Sequence, residues 1–258
     1  MALLDDKYIH KEREQMNIVI PMAGAGQRFV DAGYKYPKPF IFFNRKTMIE
    51  NVIENMGYHN NYVLIMQSQH ARDFKHVLES ISDKLPMPMT ILTVDQKTQG
   101  AAETCLMAQG HIPDDEPLVI ANCDQMFEWN QSEFEHAIQN DNMDGYIFTF
   151  KATRNPLGYS YALTNEQGLV IQTAEKQKIS EHATTGIYVW KRASDYWRAA
   201  QSMIQKDIRV NNEFYIAPTF NENISQGQKI AIWPIEHHWG IGTPEDLEIY
   251  LKLFPDKR

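Results

Sequence analysis

The sequence predicts an α/β fold, a Rossmann-like and doubly wound mixed sheet. In the first 150 residues, short apolar runs typical of buried strands alternate with segments whose apolar residues recur at helical spacing. Such an alternation favours a doubly wound, mostly parallel sheet. After residue 150, the apolar runs follow one another around turn residues, which indicates antiparallel strands in the same sheet.

The elements follow from these patterns in chain order. The unbroken apolar runs of the first part predict strands at Asn17–Met22, Tyr62–Met66, Met89–Val94, Leu118–Ala121 and Tyr146–Phe150. Helical spacing between them predicts helices at 48–56 (with Thr47 as N-cap), His70–Leu85 and Ala101–Gly110. The second part predicts strands at Tyr159–Leu163, Leu169–Gln172, Thr185–Trp190 and Lys229–Pro234. It also predicts helices at Ala193–Ile204, Glu213–Ile224 and after Thr243, which an N-cap, a proline and an acid introduce.

The length of the chain bounds its organisation. At 258 residues it can form one α/β domain with a full core. No repeat, low-complexity segment or linker divides it. We therefore expect one domain over residues 17–258, with halves at about 17–150 and 151–258, preceded by an N-terminal extension at 1–16.

The composition excludes several classes of protein. A net charge of −8 without a lysine- or arginine-rich run argues against a nucleic-acid partner. The two cysteines are too few for a disulfide scaffold, and they indicate a reducing compartment. No run approaches the roughly 20 apolar residues of a membrane helix, and the charged start does not resemble a signal peptide. We expect a cytoplasmic protein without a membrane partner.

A glycine loop follows the first strand and carries one arginine. Gly24 and Gly26 let the backbone approach phosphate oxygens closely, and Arg28 adds fixed positive charge. Lys38 follows, held between two prolines. The loop is not a Rossmann fingerprint, because Phe29 occupies the third glycine position, and the chain contains no Gly-Lys-Ser or Gly-Lys-Thr of a Walker loop. The sequence favours a triphosphate site here, and the alternative is a tight turn with two surface cations.

The strand Leu118–Ala121 runs towards a carboxylate, Asp124. Ligands of open α/β sheets bind beyond the carboxyl ends of the strands, which is where this order places the side chain. Mg²⁺ is usually held by one or two carboxylates together with substrate phosphates. Asp124 is therefore a candidate metal ligand, and the alternative is an aspartate that caps a turn.

Together, the glycine loop, the Pro-Lys-Pro segment and the strand ending in an aspartate resemble the sugar-phosphate nucleotidyltransferase family. The resemblance covers about residues 17 to 253, and it implies a nucleotidyltransferase (GT-A-like) architecture with a nucleotide half before an acceptor half. It implies that Arg28 and Lys38 contact phosphates, and that Asp124 binds the metal. The loop residues that it implies for nucleotide binding are Ala23, Gly24, Ala25 and Gly26.

Segment 95–104 resembles the base-recognition segment of that family. Gly100 and the alanines after it would let a flat base lie against the backbone. The amides of Gln96 and Gln99 can both donate and accept, as pyrimidine recognition requires. The residues leave open which glutamine faces the base, and a simple loop before a helix is the alternative.

The acceptor side is implied by two further matches. Glu175-Lys176 resembles the family's pair in which the acid meets the acceptor and the lysine meets its phosphate. By itself, such a dipeptide is usually a solvated surface pair. Asn212-Glu213-Phe214-Tyr215 resembles the stretch that supplies acceptor-side residues, which makes Glu213 and Tyr215 candidates.

One position departs from the family. Relatives often carry a second metal-binding aspartate two residues before the glycine of a GTPE-like turn, and this chain has Gly240 there. Glu236 could compensate, although nothing in the sequence shows that it does. Zinc on His237 and His238 is disfavoured, because adjacent residues of a strand point to opposite faces.

The resemblance implies a nucleotidyltransferase of the small, single-domain kind found in surface-polysaccharide loci, similar to thymidylyl- and cytidylyltransferases, some of which use phosphocholine or phosphoglutamine. We expect Mg²⁺, an NTP with CTP favoured and dTTP or UTP as alternatives, and a phosphorylated small-molecule acceptor for capsule precursors. Homo-oligomer formation is left open. The rival interpretations are a glycosyltransferase of related fold that uses an NDP-sugar, and a non-catalytic nucleotide-binding protein.

Overall fold

The computed structural model describes residues 15–152 and 158–255. The predicted extension, 1–16, lies outside these residues except for Gln15 and Met16. The strands of the described part are β1 (Asn17–Pro21), β2 (Phe42–Phe43), β3 (Lys46–Thr47), β4 (Asn61–Gln67), β5 (Thr90–Val94), β6 (Leu118–Ala121), β7 (Gln125–Phe127), β8 (Gly145–Lys151), β9 (Ser160–Thr164), β10 (Val170–Glu175), β11 (His182–Trp190), β12 (Ile230–Pro234) and β13 (His238–Gly240). Its helices are α1 (Gln27–Asp31), α2 (Met48–Met56), α3 (Ser68–Asp73), α4 (Lys75–Ser82), α5 (Ala101–Leu106), α6 (Gln131–Asn140), α7 (Ala193–Gln205), α8 (Thr219–Ser225) and α9 (Pro244–Leu253).

A mixed sheet forms the centre of the fold and confirms the predicted class. Its strands follow the order β10-β9-β11-β6-β1-β4-β5, and β8 joins it by pairing with β11 and β12. Strand β1 is parallel to β4 and β6, whereas β11 is antiparallel to β6. Strands from before and after residue 150 therefore share one sheet, and β6 and β11 are direct neighbours within it.

The core lies on both faces of this sheet. Along β1, Ile18 and Ile20 pack into the apolar cluster on one face and Val19 into the cluster on the other, and all three are fully buried. A strand that is buried on both faces has a continuous run of apolar residues, and this run is what predicted β1 from the sequence. A smaller cluster joins Phe29 of α1 to Leu247 and Tyr250 of α9, and it anchors the segment that follows the glycine loop.

The predicted helix caps are confirmed. Thr47 accepts a hydrogen bond from the Glu50 backbone in a full capping box at the start of α2. Thr243 accepts one from the Asp246 backbone at the start of α9, which begins with Pro244 as predicted. Among the described residues, no helix has both the length and the apolar character that crossing a membrane requires.

The helix predicted over Ala101–Gly110 ends early, at Leu106. Two other predicted helices differ more from the structure. The helix predicted over His70–Leu85 is divided at Phe74, whose ring stacks on Phe40 at 4.0 Å between centroids. The helix predicted from Glu213 begins only at Thr219, because the backbone of Phe214 is hydrogen-bonded to segment 99–102 instead. Tertiary contacts thus override local helical periodicity at both places.

Candidate functional site

A cleft of about 750 Å³ lies beyond the carboxyl ends of β1 and β6. This is the position at which open α/β sheets bind ligands. All seven residues that the sequence predicts for catalysis, metal binding and acceptor binding line it, together with one glycine of the loop. They are Gly26, Arg28, Lys38, Asp124, Glu175, Lys176, Glu213 and Tyr215.

The glycine loop packs against the Pro-Lys-Pro segment. A Cβ atom at Gly26 would lie 3.0 Å from Lys38 Cβ, so the two segments are in direct contact. Arg28, in α1, is exposed at the cleft and forms no ion pair within the described residues. Gly24 and Ala25 are exposed outside the residues that line the cleft, and the Ala23 carbonyl accepts a hydrogen bond from the Gln67 side chain at 2.9 Å.

Lys38 and Asp124 form a partly buried ion pair at the base of the cleft. Lys38 Nζ donates to Asp124 Oδ2 at 2.7 Å, and the two side chains are 23% and 14% exposed. Burial acts to raise the pKa of Asp124, but the charge and hydrogen bond of Lys38 outweigh it and hold that pKa below its usual value. Burial likewise opposes the charge on Lys38, and Asp124 raises the lysine pKa above its usual value. Both groups are therefore charged at neutral pH.

The Asp124 carboxylate needs a glycine opposite it. A Cβ atom at Gly242 would lie 2.6 Å from Asp124 Oδ2, closer than non-bonded atoms approach, so a larger residue there would displace the carboxylate. At Gly240 the nearest atom to a Cβ would be Gln125 Oε1 at 3.6 Å, an ordinary contact. The position of the missing second aspartate is thus open to the cleft, while Gly242 is not free to change.

Asp124 fits a hard divalent cation that also binds substrate. Its carboxylate is ionised, and its two oxygens have lone pairs beyond those that Lys38 and Gln125 occupy. Within the described residues, no group of three or more histidine, cysteine, aspartate or glutamate side chains could hold a metal. A metal on Asp124 would therefore need ligands from phosphates and water as well, as Mg²⁺ commonly has. Glu236 is exposed and does not line the cleft.

The acceptor-side candidates lie across the same cleft. Glu175, at the end of β10, accepts a hydrogen bond from the Ser160 hydroxyl, and burial raises its pKa above the usual value. Lys176 has a left-handed backbone (φ 55°), and its ammonium donates to the Tyr215 hydroxyl and lies 4.6 Å from the centre of that ring. Glu213 pairs with Lys97 at 3.1 Å.

The predicted base-recognition segment lies at the side of the cleft. Gln96 and Gln99 are exposed and do not line the cleft, and Gln99 Oε1 accepts from Arg209 Nη2 at 2.6 Å. Gly100 has φ 147°, and a Cβ atom there would lie 2.4 Å from the backbone of Phe214. Only glycine allows this approach, which joins the segment to the stretch that carries Glu213.

The sequence matches the family model of the nucleotidyl transferases over residues 18–247. The chain belongs to the nucleotidyl transferase family. It is thus an enzyme that transfers a nucleotidyl group from an NTP to a phosphate with release of pyrophosphate, and this favours the predicted activity over the rival glycosyltransferase and binding-protein interpretations.

Solved structures agree with this family and fold. The chain is similar to a nucleoside-diphosphate-sugar pyrophosphorylase from Vibrio cholerae RC9, with 27% identity, a TM-score of 0.78, and coverage of 91% of this chain and 99% of that one. It shares its fold with an inositol-1-phosphate CTP transferase from T. maritima (15% identity, TM-score 0.70, 94% and 96% coverage). It also shares it with a UDP-glucose pyrophosphorylase complexed with UDP-glucose (16% identity, TM-score 0.73, 95% and 100% coverage).

Sequence reasoning missed several residues that line the cleft of this nucleotidyltransferase. Asn122 and Gln125 flank the metal candidate, and Ser160 holds Glu175. Asp246, the acid that introduces the predicted last helix, also lines the cleft. The position of Asn122 and Gln125 on either side of Asp124 was the signal that could have identified them.

Proposed function

We propose that this nucleotidyltransferase joins an NTP, with CTP favoured over dTTP or UTP, to a phosphorylated small molecule in the cytoplasm, for capsule or other surface-polysaccharide precursors. The observation that carries the proposal is the distribution of charge in one cleft. Arg28, Lys38 and Asp124 line it together with Glu175 and Lys176, which come from the other half of the chain. A triphosphate and a phosphorylated acceptor can therefore be bound in the same cavity.

The reaction requires positioning more than proton transfer. An oxygen of the acceptor phosphate attacks the α-phosphorus, and the bond from that phosphorus to the bridging oxygen of the β-phosphate breaks, so that pyrophosphate leaves with the electron pair. The attacking oxygen is already anionic at neutral pH, so no general base is needed. Arg28 would hold the leaving pyrophosphate, Lys38 the α-phosphate, and Lys176 the acceptor phosphate. Fixed cations at these points act by orientation and charge stabilisation.

Mg²⁺ would be held by Asp124. When bound, it neutralises the charge that develops on the phosphate oxygens. Lys38 and the metal would share this carboxylate, and the nucleotide phosphates would complete the metal's ligands. This arrangement agrees with a site in which Asp124 is the predicted metal ligand and Gly240 stands where relatives often have a second aspartate.

Base selection is proposed to depend on the 95–100 segment. The Gln99 amide is already engaged by Arg209 and Glu103. Gln96 is exposed, and its side chain forms no hydrogen bond within the described residues. An amide that is free to donate and accept suits a pyrimidine edge, so Gln96 is the glutamine that we favour for contact with the base.

A pyrophosphate-release screen tests the proposal. Four NTPs are combined with sugar 1-phosphates, phosphocholine and phosphoglutamine in the presence of Mg²⁺, and we expect release with a pyrimidine NTP and one class of acceptor. EDTA and Asp124→Asn should each abolish it, with thermal unfolding as the control for the fold of the variant. Consumption of an NDP-sugar without pyrophosphate release, or full activity of Asp124→Asn, would contradict the proposal.

A further inference from the structure

Three side chains form a hydrogen-bonded series that ends on the metal candidate. Gln125 Nε2 donates to Asp124 Oδ1 at 3.1 Å, and His238 Nε2 lies 2.6 Å from Gln125 Oε1. We call His238, Gln125 and Asp124 the positioning triplet. On the other side, Lys38 donates to Asp124 Oδ2. Each carboxylate oxygen of Asp124 therefore has its own donor.

The chemistry of the groups fixes the direction of these bonds. An ionised carboxylate only accepts, so the Gln125 amide must turn its NH₂ group towards Asp124. Its oxygen then faces His238, and that ring must carry a proton on Nε2. A reversed amide would place two acceptors against each other at Asp124. The triplet thus has one satisfied arrangement, in which His238 donates to the Gln125 oxygen and holds the amide in the orientation that Asp124 requires.

His238 acts from behind the cleft. It lies on β13, which pairs with β7 so that Gly240 is opposite Gln125. Its ring packs on Phe150 at 4.1 Å between centroids, and it is not among the residues that line the cleft, whereas Gln125 and Asp124 are. Within the described residues, the hydrogen-bonded route from His238 to Asp124 runs through Gln125.

Because position 240 is a glycine, the support of Asp124 by Gln125 and His238 becomes more important. No side chain from that position can share the metal, and the atom nearest to a Cβ there would be the Gln125 oxygen. In the proposed reaction, Lys38 is shared with the nucleotide phosphate, whereas the Gln125 side-chain amide donates, within the described part of the chain, to Asp124 alone. The orientation of the only predicted carboxylate ligand then depends mainly on Gln125.

We propose that His238 is a positioning residue which, through Gln125, holds the Asp124 carboxylate in the orientation that receives the metal. This inference rests on the proposed function, in which Asp124 binds Mg²⁺. Groups that orient a metal ligand in this way typically change metal affinity or activity about 10- to 100-fold when they are removed.

The test compares two changes at position 238. His238→Phe keeps a ring against Phe150 but removes the donor, whereas His238→Gln keeps a donor near the position of Nε2 and removes the ring. His237→Phe is the matched control, because the His237 ring stacks near Trp239 and not on the triplet. The readouts are kcat and the affinity for Mn²⁺ with the α,β-methylene analogue of the NTP that supports turnover, measured by calorimetry.

We expect His238→Phe to weaken Mn²⁺-dependent binding of the analogue and to lower kcat, each about 10- to 100-fold, with the KM for the acceptor unchanged. His238→Gln should restore most of both losses, and His237→Phe should resemble the wild type. Gln125→Met should reproduce the loss, and combining it with His238→Phe should add little, because both changes break one series.

The outcomes separate this inference from the proposed function. If the wild-type enzyme binds the analogue equally with and without Mn²⁺, the proposed function fails. If the wild type responds to Mn²⁺ and His238→Phe does so equally, only the role of His238 is overturned. The role is also overturned if His238→Gln is as impaired as His238→Phe. Should His238→Phe not fold, Gln125→Met breaks the series at its middle member, and a wild-type response of that variant to Mn²⁺ overturns a role of His238 through Gln125.

Discussion

Substitution of Lys176 tests most directly which part of the cleft binds the acceptor and which part binds the NTP. Its backbone follows β10 in the acceptor half, and its ammonium contacts the Tyr215 hydroxyl and lies over that ring. In the proposed reaction it binds the acceptor phosphate. A hydrogen bond to a charged group contributes about 1.5–3 kcal/mol, so Lys176→Ala should lower kcat/KM for the acceptor about 10- to 150-fold.

The assay measures pyrophosphate release against acceptor concentration at saturating NTP, and NTP binding by calorimetry without acceptor. NTP affinity should be nearly unchanged, because Arg28 and Lys38 remain. Tyr215→Phe is the matched variant: it keeps the ring beneath the ammonium but removes the hydroxyl that accepts from Lys176. Tyr215→Phe should lower kcat/KM for the acceptor less than Lys176→Ala does, because the lysine charge that binds the phosphate is kept. A tenfold loss of NTP affinity in Lys176→Ala, with the acceptor parameters intact, would refute this division of roles.

Three further predictions concern the loop, the metal position and pH. Arg28→Ala should remove most activity without lowering the unfolding temperature, and Arg28→Lys should also be poor, because a lysine cannot make bidentate phosphate contacts; near-normal turnover of either would refute the loop assignment. Gly242→Ala should raise the Mg²⁺ concentration needed for half-maximal activity about tenfold or more, because the new Cβ would displace Asp124. Gly240→Ala has room for its Cβ and should resemble the wild type in the same Mg²⁺ titration. Burial raises the pKa of Glu175 in the folded protein, so the free energy of unfolding should fall as pH rises from the usual glutamate pKa through this raised pKa. Glu175→Gln should remove this fall in urea unfolding measured from mildly acidic to neutral pH, and identical pH profiles of the variant and the wild type would contradict the prediction.

The parts of the site that the sequence predicted are those fixed by strand ends. Asp124 follows β6 and the glycine loop follows β1, and β1 and β6 are parallel neighbours. Two segments that leave adjacent parallel strands at their carboxyl ends must emerge at the same edge of the sheet. The pairing of Lys38 with Asp124 across 86 positions of sequence is consistent with this rule.

The parts that could not be predicted depend on pairs of short, distant segments. Strands β7 and β13 have three residues each, too few to show a period, and they find each other only in the folded chain. Their pairing brings His238 to Gln125, although nothing in the sequence around His238 indicates this contact. Phe214 is similar: local periodicity favoured a helix, but its backbone bonds to segment 99–102 decide its conformation.

The geometry that joins the two halves has a consequence for catalysis. Strand β11 of the acceptor half pairs directly with β6, with Ile187 opposite Ala121, and the Asn122 backbone donates to the Gly186 carbonyl at 3.0 Å. The pairing of β11 with β8 shifts register between Thr184 and Tyr188, next to Gly186. Such β-bulges commonly change the direction of side chains near active sites. Because β9 and β10 extend the same sheet, Glu175 and Lys176 are held relative to Asp124 through paired strands and not through a flexible connection. A reaction that needs no general base depends on the separation of its bound phosphates, and side chains supported by regular elements fix such a separation more closely than loops do.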